Sequence, residues 1–180
     1  LGQRCGVEQP RVAVRSSALD EDGLQASFAG LHESYLNVAG AAAVAAAAER
    51  CRTSARSPRA LAYRRAHGLT PEARVAVLVQ QLVLADAAAV VFSCDPGTGA
   101  EAYVVINAAW GLGESLVGGA VTPDLYRVDK YTGAILSRQV ADKAVMTVLG
   151  AAGTREVAVP RAMRADPADR RSRRVTLTEA

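Results

Sequence analysis

Residues 11–30 read Arg11-Val12-Ala13-Val14-Arg15-Ser16-Ser17-Ala18-Leu19-Asp20-Glu21-Asp22-Gly23-Leu24-Gln25-Ala26-Ser27-Phe28-Ala29-Gly30, and a change of pattern within them governs how the chain is read. From Arg11 to Ser17 apolar and polar residues alternate, with Val12 and Val14 on one face, the period of a short strand. From Ser16 to Gly30 the residues are small, acidic or glycine, and no period is sustained. Such a stretch is either an ordered functional loop or a loosely held one, and composition is compatible with both. An arginine at a strand end, followed by hydroxyls and small residues, has what phosphate recognition requires: a bidentate cation, and backbone amides that a ligand can approach closely. The same residues also suit an ordinary surface on which Arg15 pairs with Asp20 or Asp22 and the serines only turn the chain.

Outward from this stretch, Tyr35 to Val38 suits a brief strand and Gly40 to Arg56 is built from strong helix formers. Ser57-Pro58 signals a second helix, a cap residue followed by proline at the first helical position, and Gly68 ends it. Six strand-like runs follow: Arg74 to Val83, Ala88 to Ser93, Ala102 to Asn107, Leu125 to Val128, Ile135 to Val140 and Val145 to Leu149. Turn signals at Asp95-Pro96-Gly97, Gly111 to Gly119 and Thr132-Gly133 separate several of them. The fold class is therefore α+β. Pro160 to Arg174 holds two prolines and six arginines, the composition of a surface connection, and Val175 to Ala180 begins a helical pattern. The expected division is residues 1–159 as the folded domain and 160–180 as an arginine-rich linker with the start of a truncated helix.

The 180 residues suffice for one domain with its own core. A formal charge of +3 is too even for a polybasic arm, and 4% aromatics leave the 50% hydrophobic content dominated by alanine. Cys5, Cys51 and Cys94 are odd in number and far apart, which excludes a disulfide framework or a zinc ribbon and points to a reducing, cytoplasmic setting. The longest apolar run, Ala39 to Ala48, is about half a bilayer span, so no membrane partner is expected. Arginine strongly outnumbers lysine, which occurs only at Lys130 and Lys143, a bias of GC-rich bacterial genomes.

Two further segments could carry chemistry. In Asn107-Ala108-Ala109-Trp110-Gly111-Leu112-Gly113-Glu114 the glycines would let backbone approach a ligand; equally, they form a turn with Trp110 as a packing anchor. The spacing lacks a dinucleotide fingerprint, and no P-loop is present. In Val79-Gln80-Gln81-Leu82-Val83 a strand-end glutamine could read an adenine edge while apolar neighbours pack on the ring. Neither His32 nor His67 lies in a nucleophile arrangement, and His67 suits contact with the terminal carbonyls of a helix. The arginines from Arg161 to Arg174 have no interleaved aromatics for base stacking, so a solvated segment is expected rather than a nucleic-acid surface.

Taken in order, Arg15-Ser-Ser-Ala through Ser27-Phe-Ala-Gly30, Val79-Gln80, Phe92 through Asp95-Pro96 to Thr98-Gly99, Ile106-Asn107 through Gly111-Leu-Gly113-Glu114, and Thr122-Pro123-Asp124 resemble the ATP-grasp domain of the phosphoenolpyruvate synthase and pyruvate phosphate dikinase family. Gly113-Glu114-Ser-Leu-Val-x-Gly119 with Thr122-Pro-Asp-Leu-Tyr126 looks most like its rifampin phosphotransferase branch. The resemblance spans about Arg11 to Leu149. It implies an ATP-grasp-like mixed sheet with flanking helices, incomplete here: one subdomain plus part of the other. It also implies transfer of the β-phosphate of ATP, through a phosphohistidine on another domain, to pyruvate or a small-molecule hydroxyl.

Carried over residue by residue, the resemblance makes Arg15 the phosphate-contacting and catalytic arginine. Gly30 and Ser34 belong to the loop over the phosphates, and Gln80 lies at the adenine. The family usually has threonine at Ser34, arginine at Gln81 and glutamine at His32. Its phosphate-binding lysine is expected before Leu1, its Mg2+ ligands after the helix near Val175, and its phosphohistidine and acceptor-binding domains elsewhere, so no metal ligand is assigned in this chain. The chain then reads as an internal piece of a larger enzyme or a degenerate remnant. Two alternatives stand beside it: a noncatalytic nucleotide-binding or interaction module of the same fold, and a nucleic-acid binder acting through its arginines.

Overall fold

The computed structural model describes residues 6, 8–18, 33–68, 75–166 and 168. Gly30, the acidic partners considered for Arg15, His32, Cys5, the arginines from Arg170 onward and the helical pattern at Val175 lie outside the described residues. Contacts divide the chain into two compact units, one of residues 1–83 with 150–153, the other of residues 84–149 with 154–180.

In the first unit, β1 (Val12–Ala18) is the central strand of a three-stranded sheet, flanked by β2 (Ser34–Val38) and β3 (Val75–Gln81) in the order β2-β1-β3. Both pairings are antiparallel, and the ladder to β3 runs without a break from Val12 opposite Gln81 to Ala18 opposite Val75. The ladder to β2 carries a bulge between Val12 and Val14. There Asn37 takes a left-handed φ of 57°, which asparagine tolerates better than a branched residue. Its side chain is buried, accepts from the Arg11 guanidinium, and donates to the carbonyls of Gly150 at 2.9 Å and Gly153 at 2.6 Å.

Helix α1 (Ala41–Ser54) covers one face of this sheet. Val44, Ala47, Ala48 and Cys51 recur at helical spacing and pack on Val12, Val14, Tyr35, Val38, Val77 and Val79. Alanine on that stripe lets the helix axis come close, and Val14, Ala47 and Cys51 are fully buried. Helix α2 (Pro58–Ala66) starts as its sequence expects: the Ser57 hydroxyl accepts from the Ala60 amide at 3.3 Å, with proline at the first position. At its end His67 Nδ1 lies 2.9 Å from the Tyr63 carbonyl and the two rings stack, the helix-end contact expected of that histidine.

The second unit is an antiparallel meander, β4 (Ala87–Phe92), β5 (Tyr103–Trp110), β6 (Asp124–Asp129) and β7 (Ile135–Gln139), in sequence order. The hairpin of β8 (Val145–Leu149) and β9 (Thr154–Ala158) packs against one of its faces. Trp110, Tyr126, Ala108, Met146, Val159 and Ala168 form this core. Glycine-rich residues 111–119 contain a short helix, α3 (Glu114–Val117), where only a turn is expected from sequence.

Residues beyond 159 are not all solvated linker: α4 (Arg161–Arg164) is helical, and the Trp110 indole donates to the Met163 carbonyl at 3.0 Å. Val159 and Ala168 are buried. The arginine-rich composition hides this, because the groups that hold the segment are mostly backbone carbonyls and amides, which every sequence carries.

Candidate functional site

Alternation along β1 sends Val12, Val14 and Ser16 toward α1 and Ala13, Arg15 and Ser17 to the other face. Residues opposite one another in a ladder share a face. Arg15 has Ser34 opposite it on β2 and Leu78 opposite it on β3. Gln80 lies opposite Ala13, two residues further along β3 and on the same face. Arg15, Ser34 and Gln80 are all exposed there, and Leu78 keeps 50% of its surface accessible. Three of the four residues singled out from the sequence are therefore gathered on the face away from α1, around an apolar side chain. The fourth, Gly30, lies outside the described residues.

Chemically, the face offers a guanidinium that can bind an anion through two parallel N–H bonds, a hydroxyl one strand away, a primary amide and an apolar platform. The alternation also separates the two serines of Arg15-Ser16-Ser17. Ser17, opposite Ala76, shares the face of Arg15, whereas Ser16, opposite Val77, is turned toward the helix-covered side. Period-two reading of the strand could have singled out Ser17, but the expected site residues did not include it.

The glycine-rich segment of the second unit has a different use. Gly111 stands at φ +76°, and a Cβ there would lie 2.4 Å from the Thr147 carbonyl oxygen. The adjacent Leu112 amide donates to that oxygen at 2.8 Å, and the Ser115 amide donates to the Thr147 hydroxyl at 3.1 Å. The close approach that glycine permits is thus taken up by β8 of the same chain, and Trp110 is the packing anchor beside it, 1% exposed.

The Asp95 to Gly99 turn is held by its aspartate: Oδ1 accepts from the Gly97 and Thr98 amides at 2.9 and 3.3 Å, and Oδ2 accepts from the Tyr103 hydroxyl at 3.0 Å, with Arg127 at 3.6 Å. The Gly97 amide, then Tyr103, hold the Asp95 carboxyl below its ordinary range. Of the family motifs, Thr122-Pro123-Asp124 delivers a second buried carboxylate, paired to Lys143 at 2.6 Å.

Residues 1–179 match the model described as "Pyruvate phosphate dikinase, AMP/ATP-binding domain". The chain belongs to this family. Its relatives include the phosphoenolpyruvate synthase of Pyrococcus furiosus, 44% identical over 149 residues, which is 82% of this chain and 18% of that protein. A probable phosphoenolpyruvate synthase of Methanocaldococcus jannaschii is 43% identical over 162 residues, 89% of this chain and 14% of that one. The rifampicin phosphotransferase of Streptomyces sviceus is 40% identical over 174 residues, 96% of this chain and 20% of that one. The chain thus spans a fifth or less of these relatives. As a dikinase AMP/ATP-binding domain it has the α+β, ATP-grasp-like architecture expected from its motifs, and ATP is the ligand class of the family. Among the described residues no helix is long and apolar enough to cross a membrane.

Proposed function

We propose that this chain is the ATP-holding part of a dikinase-type phosphotransferase, working in the cytoplasm. The β-phosphate of ATP would pass through a phosphohistidine on another domain to pyruvate or a small-molecule hydroxyl. Arg15 contacts the phosphates and offsets charge during transfer, Gly30 and Ser34 belong to the loop over them, and Gln80 takes the adenine edge beside Leu78. Transfers of this kind are catalysed mainly by positioning and charge neutralisation, and a guanidinium carried on a sheet would supply the charge. Mg2+ accompanies the nucleotide and neutralises phosphate charge. Among the described residues no three His, Cys, Asp or Glu side chains gather into a metal site.

One observation carries the reading: Arg15, Ser34 and Gln80, far apart in sequence, share one exposed sheet face around Leu78. Calorimetric titration of the protein with Mg-ATP tests it. Arg15→Ala is expected to weaken ATP binding by about ten- to a hundredfold, the worth of a hydrogen bond to a charged group. Unchanged affinity would remove Arg15 from the site. Binding of ATP without any phosphate turnover in the whole protein would instead favour a noncatalytic nucleotide-binding module.

A further inference from the structure

Outside the nucleotide face, one buried carboxylate collects donors from three places in the second unit. Asp124, the first residue of β6, is fully buried. Its Oδ1 accepts from Lys143 Nζ at 2.6 Å and from the Ala141 amide at 2.8 Å, and its Oδ2 accepts from the Ala168 amide at 2.8 Å. Lys143 is equally buried, and its ammonium also donates to the Ala141 carbonyl at 2.9 Å. The backbone of the same lysine reaches the same segment as Asp124 does, its amide donating to the Arg164 carbonyl at 3.0 Å.

Besides these bonds the segment has the Trp110 indole on the Met163 carbonyl at 3.0 Å and the Arg164 Nε on the Val159 carbonyl at 3.1 Å, and little apolar burial. Between Pro160 and Asp166 no side chain is fully buried, and Met163 is only partly so. Ala168 presents a single methyl group to the core. Ordering a run of backbone with so little apolar burial requires strong directed bonds, and those to an ionised carboxylate are about twice as strong as neutral ones. We propose that Asp124 and Lys143 form a charge latch that fixes residues 160–166 and Ala168 on the β4–β7 sheet, so that the course of this segment depends on one ion pair. The latch is a conformational device independent of the nucleotide face, and its test requires no ligand.

Hydrogen exchange resolved to single amides, with limited trypsin digestion, tests it on the full chain. In Asp124→Asn, protection of the Ala168 and Lys143 amides is expected to fall at least tenfold, and cleavage after Arg161 and Arg164 to quicken by a similar factor. Protection of the β5 amides of Val105 and Asn107 should stay within about twofold of the parent. The double variant Asp124→Asn with Lys143→Met leaves no unpaired buried charge and should show the same local release. Unchanged protection at Ala168 in both variants would overturn the latch. So would a uniform loss of protection across the sheet, or failure of both variants to fold, since either would make the pair a support of the whole core.

Discussion

A methyl group on Gly111 would meet the Thr147 carbonyl oxygen at 2.4 Å, on a backbone already in the left-handed region at φ +76°. Both terms act together, because neither the oxygen, which accepts from Leu112, nor the φ can relax without breaking the bridge to β8. Gly111→Ala is therefore expected to cost about 2–4 kcal/mol, combining a left-handed penalty with overpacking, and urea unfolding measures it. Gly133, also at positive φ, has nothing within 4 Å of its absent Cβ, so Gly133→Ala should cost only the conformational part. On β1 the alternation of faces separates two hydroxyls. If the face of Arg15 binds phosphate, Ser17→Ala should weaken ATP severalfold, whereas Ser16→Ala should leave affinity unchanged, as titration of the two variants would show. Equal losses would mean that the face is not the discriminating feature.

At the scale of elements, α1 shows how a helix nearly devoid of large side chains still docks. Its covered stripe of Val44, Ala47, Ala48 and Cys51 brings the helix close to β1, so that burial of Val12 and Val14 contributes about 1.5–3 kcal/mol each. Cys51 is part of that packing. Its thiol lies 3.5 Å from the Glu33 carbonyl and 3.7 Å from that of Val14, and burial, reinforced by Glu33, pushes its pKa up. It is expected to resist an aromatic disulfide reagent at neutral pH in the folded chain and to react only as unfolding exposes it. Rapid labelling of Cys51 under native conditions would contradict the packing of α1. Turns of the second unit rest on carboxylates instead: Asp129 Oδ1 accepts from the Tyr131 and Thr132 amides and from the Thr132 hydroxyl, as Asp95 does for its own turn.

For the whole molecule these turns set a pH limit. Asp129 is held low chiefly by the Thr132 amide, as Asp95 is by that of Gly97, so both folded carboxyls bind protons less readily than the unfolded chain does. The stability they supply is complete above about pH 4, the ordinary aspartate value, and is lost as pH falls through their folded values. Unfolding free energy followed down an acid titration should decline in that window, and Asp95→Asn should make the decline shallower. A slope unchanged by that variant would assign the acid sensitivity elsewhere. Much of the architecture behind this was legible beforehand, because strand and helix periods are local. Val12 and Val14 announce β1, Ser57-Pro58 announces α2, and the ordered motifs from Arg15 to Asp124 announce the family. Strand β9, Thr154–Ala158, was not legible: its one large apolar residue, Val157, makes no period, and it is a strand because β8 supplies hydrogen-bonding partners. Nor does local sequence join Asp124 to Lys143, 19 positions away, or to Ala168, 44 away. Sequence by itself determined the class of fold and the family, since those depend on backbone period and on the order of short motifs along the chain. Only the tertiary structure decided which side chains share a face, which glycine serves packing, and which buried charges meet, because strand register and long-range burial come into being only when distant segments pair.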